Sequence, residues 1–265
     1  MTAGGSFRLS SMTVKRTETI AARMTTALLL GLLALGAGCS LGGDSDADLI
    51  LAQSSQVTFE TVLQLGSNRM ESTIVTEHAE TGVREMESME IAWADRDNFM
   101  VRQVHDGDVR REVRVLQGKP WVRSGDRFQR REDAEIYRGV LSQTWDMWGL
   151  AVGPFIDQVG YDYDGEVVIE GRRGHRYTLR LATDAELAAA HAESDATQGR
   201  RTARFVPMAI TGSMVLDEGT AVRLLTEFEV RLVARGGGRE RTVRFREARS
   251  GIGERPTIPS PRQKK

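Results

Sequence analysis

Hydrophobic residues in this chain recur mostly at every second position. Val57, Phe59, Thr61, Leu63 and Leu65 alternate with polar neighbours, as do Met89, Ile91 and Trp93, and Val113 and Val115. The longest run is Val222, Leu224, Thr226, Phe228, Val230 and Leu232. A period of two with a polar second face means strands covered on one side, which build antiparallel sheets. Asp106-Gly107, Gln117-Gly118, Ser124-Gly125, Glu218-Gly219 and Gly236–Gly238 fall between these runs and are hairpin-turn signals. The pattern predicts ten to twelve strands, near 56–65, 70–77, 84–94, 98–105, 109–117, 120–123, 127–130, 165–170, 174–182, 204–216, 221–234 and 239–249.

Two segments break the period. From Asp133 to about Trp148, Ile136, Tyr137, Val140, Leu141, Thr144, Trp145 and Trp148 recur at three and four, the spacing of one helix face. Asp133 suits the N-cap, and Pro154 limits continuation. Asp184–Glu193 is a shorter, Ala-rich helix candidate.

The N-terminus follows neither pattern. Arg16 and Arg23 precede an uncharged run from Met24 to Gly38, too short for a membrane span and right for the apolar core of an export signal. It ends in Leu35-Gly36-Ala37-Gly38-Cys39-Ser40, which resembles the lipobox of bacterial lipoproteins, with Gly36 standing where an aliphatic is usual. That resemblance implies cleavage before Cys39, acylation of Cys39, palmitate included, and retention on a membrane by several chains, since one chain holds weakly. Ser40 after the cysteine goes with the outer membrane, facing the periplasm, in Gram-negative bacteria. Residues 40–48 (SLGGDSDAD) read as a flexible tether. The expected organisation is a signal peptide at 1–38, a lipidated cysteine and tether at 39–54, one β domain at 55–255 and a disordered tail at 256–265.

Composition narrows the functions. The chain has 265 residues, 40% apolar and 28% charged, which is ordinary globular material. Residues 1–38 hold Arg8, Lys15, Arg16 and Arg23 against Glu18. Their removal leaves 32 basic and 36 acidic residues and shifts the net charge from −1 to −4. A mildly acidic domain without a basic stripe speaks against nucleic acid. Cys39 is the single cysteine, so the fold has no internal disulfide.

The search for chemistry returns little. His78, His105, His175 and His191 show no metal-ligand spacing and read as surface residues. There is no Gly-x-Ser-x-Gly elbow, and Gly236-Gly237-Gly238-Arg239 lacks the Lys-Ser/Thr of a phosphate loop. Tyr161-Asp162-Tyr163-Asp164-Gly165 reads as a turn rather than a calcium loop, and Arg110-Arg111 and Arg130-Arg131, beside Glu112 and Glu132, as solvated outer-face charge. The expectation is no enzyme, no metal and no cofactor.

Three local patterns carry a family resemblance. They are Trp93 through Val101 followed by Asp106-Gly107, the run Ile210 through Asp217, and the closing Ile258-Pro259-Ser260-Pro261. Behind a lipobox, this meander broken by an aromatic-faced helix resembles the LolA/LolB-type lipoprotein carriers and the LppX-type lipoproteins over about 55–260. The resemblance implies a mainly β (α+β) fold: a strongly curved antiparallel sheet, an unclosed barrel, with one or two helices on or over its concave face. It also implies a lipid or acyl ligand on that face. Phe59, Trp93, Phe99, Trp121, Tyr137, Trp145, Trp148 and Phe228 are the candidate lining residues. The alternative is an accessory lipoprotein that holds a protein partner in an envelope complex and takes no ligand.

Overall fold

Paired positive backbone angles at the hairpin tips set the architecture. Asp106 and Gly107 stand at φ 49° and 86°, Gln117 and Gly118 at 53° and 71°, a twist that lets neighbouring strands pair directly. A computed structural model describes residues 45–55, 57–132, 147–188 and 205–261, all within one compact unit spanning 43–265. The side chains of Ser45, Phe59 and Glu60 lie outside this set.

Eleven strands form one antiparallel sheet: β1 Asn68–His78, β2 Arg84–Asp95, β3 Asn98–His105, β4 Asp108–Leu116, β5 Lys119–Ser124, β6 Arg127–Arg130, β7 Val159–Ile169, β8 Arg172–Leu181, β9 Phe205–Asp217, β10 Arg223–Ala234 and β11 Glu240–Ser250. Their order is β6-β5-β4-β3-β2-β1-β11-β10-β9-β8-β7, so among the described residues β6 and β7 are the edge strands and the sheet is not closed. The crossover is between β1 and β11, which pair from Arg69↔Ser250 to His78↔Arg241. Eleven flat strands would span roughly 50 Å at the usual spacing. Yet one connected core joins residues from Val113 on β4 to Leu179 on β8, as in a curved half-barrel.

Among the described residues the helices are α1 Ser45–Ser54, α2 Phe59–Gln64 and α3 Met147–Val152, the last running into a 3-10 turn at Gly153–Gln158. α1 and α3 supply Ala47, Ile50, Met147, Trp148, Ala151 and Val152 to the main core. The outer face of β1, β10 and β11 is charged. Arg244 bonds Glu229 and Glu77 at 2.6 and 2.8 Å, and Arg246 bonds Glu227 at 2.7 Å.

Four expectations need correction. The strand expected at 56–65 is a helix over Phe59–Gln64. The Thr58 hydroxyl accepts from the Thr61 amide while the Thr61 hydroxyl accepts from the Thr58 amide, and this box starts a helix despite the alternating pattern. Val62 and Leu65, three apart, then join Val215, Val222 and Leu224 in a second, smaller core. Second, the tether expected through residue 54 is ordered from 45. Asp46 and Asp48 favour the positive start of α1, and Ala47 and Ile50 bury one turn apart. Third, the tail expected from 256 is held as far as 261, because Arg114 donates to the carbonyls of Pro259 and Ser260 at 3.1 and 2.9 Å and Pro261 is buried. Fourth, Tyr161–Gly165 is strand rather than turn: β7 runs through it, with an irregularity between Tyr163 and Glu166 at Gly165, φ 97°. The helix expected from Asp133 lies outside the described residues except for its end, Met147–Val152.

Candidate functional site

The parity of the strands sorts side chains onto two faces. Trp93, Phe99 and Phe228 fall on the inner face, in the main core. Trp93 stacks on Phe99 with ring centroids 5.0 Å apart. Phe228 stacks on Phe245, its partner on β11, at 5.3 Å, a residue the sequence reading did not single out. Trp148 stands edge-on to both, at 5.5 Å from Phe228 and 6.0 Å from Phe245. Aromatic pairs of this kind contribute about 0.5–1.5 kcal/mol each beyond the area they bury. The tryptophan comes from the described helical stretch Met147–Val152, so the aromatic group is assembled from two strands and a helical cover.

Gly212 makes room for this group. It faces Phe228 across β9 and β10, and a Cβ there would lie 2.2 Å from the Glu227 carbonyl oxygen and 2.5 Å from the Phe228 Cα.

Of the other candidates, Trp121 is on the opposite face. It pairs with Arg114 and Arg130, whereas its neighbour Val122 packs on the main core. Trp121 lines an open groove of about 410 Å³ with Asn98, Lys119, Arg130 and Pro261. It is therefore removed from the inner aromatic group by strand parity alone. Tyr137, Trp145 and Cys39 lie outside the described residues, as does the Phe59 side chain.

Polar groups also reach the inner face; the sequence reading put Thr226 on the buried parity but missed Ser72 and Glu247. Ser72, Glu247 and Thr226 stand side by side on β1, β11 and β10 through the pairs Ser72↔Glu247 and Glu247↔Thr226. Glu247 and Thr226 are each 0% exposed and Ser72 2%. Arg223 Nε donates to Glu247 Oε1 at 3.4 Å, and its guanidinium lies 5.6 Å from the Trp148 ring centre. Arg249 Nε donates to the Arg223 carbonyl at 2.9 Å, and its Nη1 to Asn68 Oδ1 at 3.2 Å. The Glu247 Oε2, Ser72 Oγ and Thr226 Oγ1 atoms have no hydrogen-bond partner. The signal was present in the sequence: Thr226 and Glu247 occupy apolar-parity positions two residues from Phe228 and Phe245.

Tyrosines close the far side. Tyr177 Oη donates to the Ala47 carbonyl oxygen at 2.6 Å and ties α1 to β8. Burial, reinforced by Tyr163 and Asp48, pushes the Tyr177 phenol far above its ordinary value. Burial also pushes Tyr161 up to about 12, against the pull of Arg223. Both remain neutral donors at any ordinary pH. His175, expected at the surface, is buried beside Tyr163 at 5.6 Å and has an unpartnered Nδ1. Glu112, expected on a solvated face, is buried and paired with Arg114 and Arg123. Among the described residues no group of three or more His, Cys, Asp or Glu side chains could hold a metal ion.

Fold and face together define an open β half-barrel whose apolar inner side is covered by helices. No family model matches the chain, and no curated protein matches it. Solved structures similar to it include LprF from Mycobacterium bovis, at 16% identity over 82% of this chain and 98% of that one, with a TM-score of 0.34. Another is the Mycobacterium tuberculosis lipoprotein LppX, at 11% identity over 80% and 98%, TM-score 0.30. A third is MucB, at 14% identity and TM-score 0.32; the match covers 81% of this chain but 62% of MucB. At these identities and scores the likeness decides neither ligand nor partner.

Proposed function

We propose that the protein is a lipid-anchored lipoprotein of the cell envelope whose inner face takes an acyl chain. On this reading residues 1–38 are removed, Cys39 carries the lipid, and the half-barrel stands on the periplasmic side of the outer membrane. The observation that carries the acyl reading is the contact of Trp148 with Phe228 and Phe245. The helical stretch Met147–Val152 supplies the cover over these rings. Methylenes entering beneath it replace ring contacts with chain contacts, at roughly 0.8 kcal/mol for each CH₂ buried.

A second reading, a protein partner, rests on a different feature. β7 is an eleven-residue edge strand, and Val168 on it is 68% exposed. A long free edge is a template for strand addition.

Native mass spectrometry of the protein from Ser40 onward, purified without detergent and offered phospholipid and fatty acid, tests the choice. Added mass matching one or two lipid molecules supports the acyl reading. Bare polypeptide mass under every condition rejects it and leaves the edge-strand reading.

A further inference from the structure

The inner face is not uniformly apolar, and three of its buried polar atoms have no hydrogen-bond partner. Burying a hydroxyl or carboxylate oxygen without a partner costs free energy, so nearly all such groups in folded proteins are paired. Here three unpartnered atoms, Ser72 Oγ, Glu247 Oε2 and Thr226 Oγ1, come from neighbouring positions on three adjacent strands. Side chains directly opposite in such pairs lie roughly 5 Å apart at Cβ. The row ends at Met89 across from Ser72 and is flanked by Met70 and Arg249 on one side and by Phe228 and Phe245 on the other.

We propose that this row is the recognition point for hydroxyl groups on the apolar ligand, a glycerol-type lipid head. The inference rests on the acyl reading above and names the ligand class. The chemistry selects the group. As a carboxylate, Glu247 accepts at Oε2, so the ligand must donate; Ser72 and Thr226 can donate or accept, so a ligand group that does both can meet all three atoms. A hydroxyl does both. A simple ammonium ion would meet the positive charge of Arg223 and Arg249, both buried beside the row. A bare hydrocarbon leaves all three atoms unsatisfied. Arg223 fixes the other oxygen of Glu247 and lies beneath Trp148, so the helix that covers the aromatic group also borders the polar row.

The test compares two ligands with one acyl chain. Monoolein carries two free hydroxyls, and methyl oleate carries none. Each displaces a fluorescent fatty-acid probe from the protein from Ser40 onward, whose described residues contain the whole sheet and both cores. The wild type should prefer monoolein by about tenfold or more, the scale of one or two net hydrogen bonds. Thr226→Val combined with Ser72→Ala should cut that preference to less than about threefold. Because Thr226→Val removes an unpartnered buried hydroxyl at constant shape, its Tm should equal or exceed that of the wild type. Methyl oleate binding without a monoolein preference, or a preference that survives the double substitution, overturns the row while the acyl reading stands. Failure of both ligands to displace the probe overturns both. A Tm loss of several degrees for Thr226→Val overturns the row by showing that the hydroxyl holds the fold.

Discussion

Tyr177 on β8 donates its hydroxyl to the main-chain oxygen of Ala47 on α1, 130 positions earlier in the chain. The bond is buried, and it fixes the segment that follows the expected lipid anchor onto the inner side of the sheet. Tyr177→Phe removes the donor and leaves the Ala47 carbonyl with its helical bond alone. The expected cost is about 1–2 kcal/mol. Amide hydrogen exchange should rise chiefly over Ala47–Leu51. Uniformly increased exchange across all strands would contradict a local role.

Gly212 is expected to tolerate no side chain. Its φ of 152° and the 2.2 Å approach to the Glu227 carbonyl leave no space for a Cβ beside Phe228. Gly212→Ala should destabilise by at least about 2 kcal/mol. The check is a urea titration, with Gly219→Ala, where the nearest atoms lie at ordinary contact distance, as the comparison.

Acid should unfold the domain partly through Asp217. Burial opposes its ionisation. Arg172, bonding at 2.6 and 2.9 Å, and Thr220, at 2.7 Å, outweigh that and hold the carboxyl below the ordinary aspartate value. A depressed folded value means that the contribution is complete above the unfolded pKa of about 3.9 and is lost as pH falls through the folded value. Asp217→Asn should cost about 1–3 kcal/mol at pH 7, less than for a fully buried pair because Arg172 is partly exposed. It should also flatten the fall of Tm below pH 4. An unchanged acid limb in the variant would contradict this assignment.

Cys39→Ser tests the anchor. Expressed from its first residue in a diderm bacterium, the wild type should incorporate labelled palmitate and fractionate with outer membrane. The variant should take up no label and accumulate as uncleaved precursor. Label retained by the variant would place the lipid elsewhere.

Much of the fold was legible because period-two alternation survives wherever one face meets water: Val222 to Leu232 reads as β10 directly. The exception at 57–65 has the same alternation, but the mutual cap of Thr58 and Thr61 decides for a helix. α1 was hidden because Ser45–Ser54 offers one buried turn in a polar stretch, and its anchor, Tyr177, is remote in sequence. Of the lining candidates, Trp93, Phe99, Trp148 and Phe228 come to the inner face. Trp121 could not be sorted without knowing the register of the β4-β5 hairpin. Thr226 was already on the buried parity, but Ser72 and Glu247 were hidden because residue type alone files Ser and Glu with the solvent. Their parity with Phe228 and Phe245 was the overlooked signal.

The central claim, an acyl chain laid against Trp148, is tested most directly by quenching with a brominated lipid. With Trp93, Trp121 and Trp145 replaced by Phe, Trp148 is the only emitter. Titration with a dibromostearoyl lipid should quench its emission by more than half at saturation, while the unbrominated lipid should leave the intensity unquenched. Native mass spectra showing bound brominated lipid with Trp148 emission unchanged would place the chain elsewhere and contradict the account.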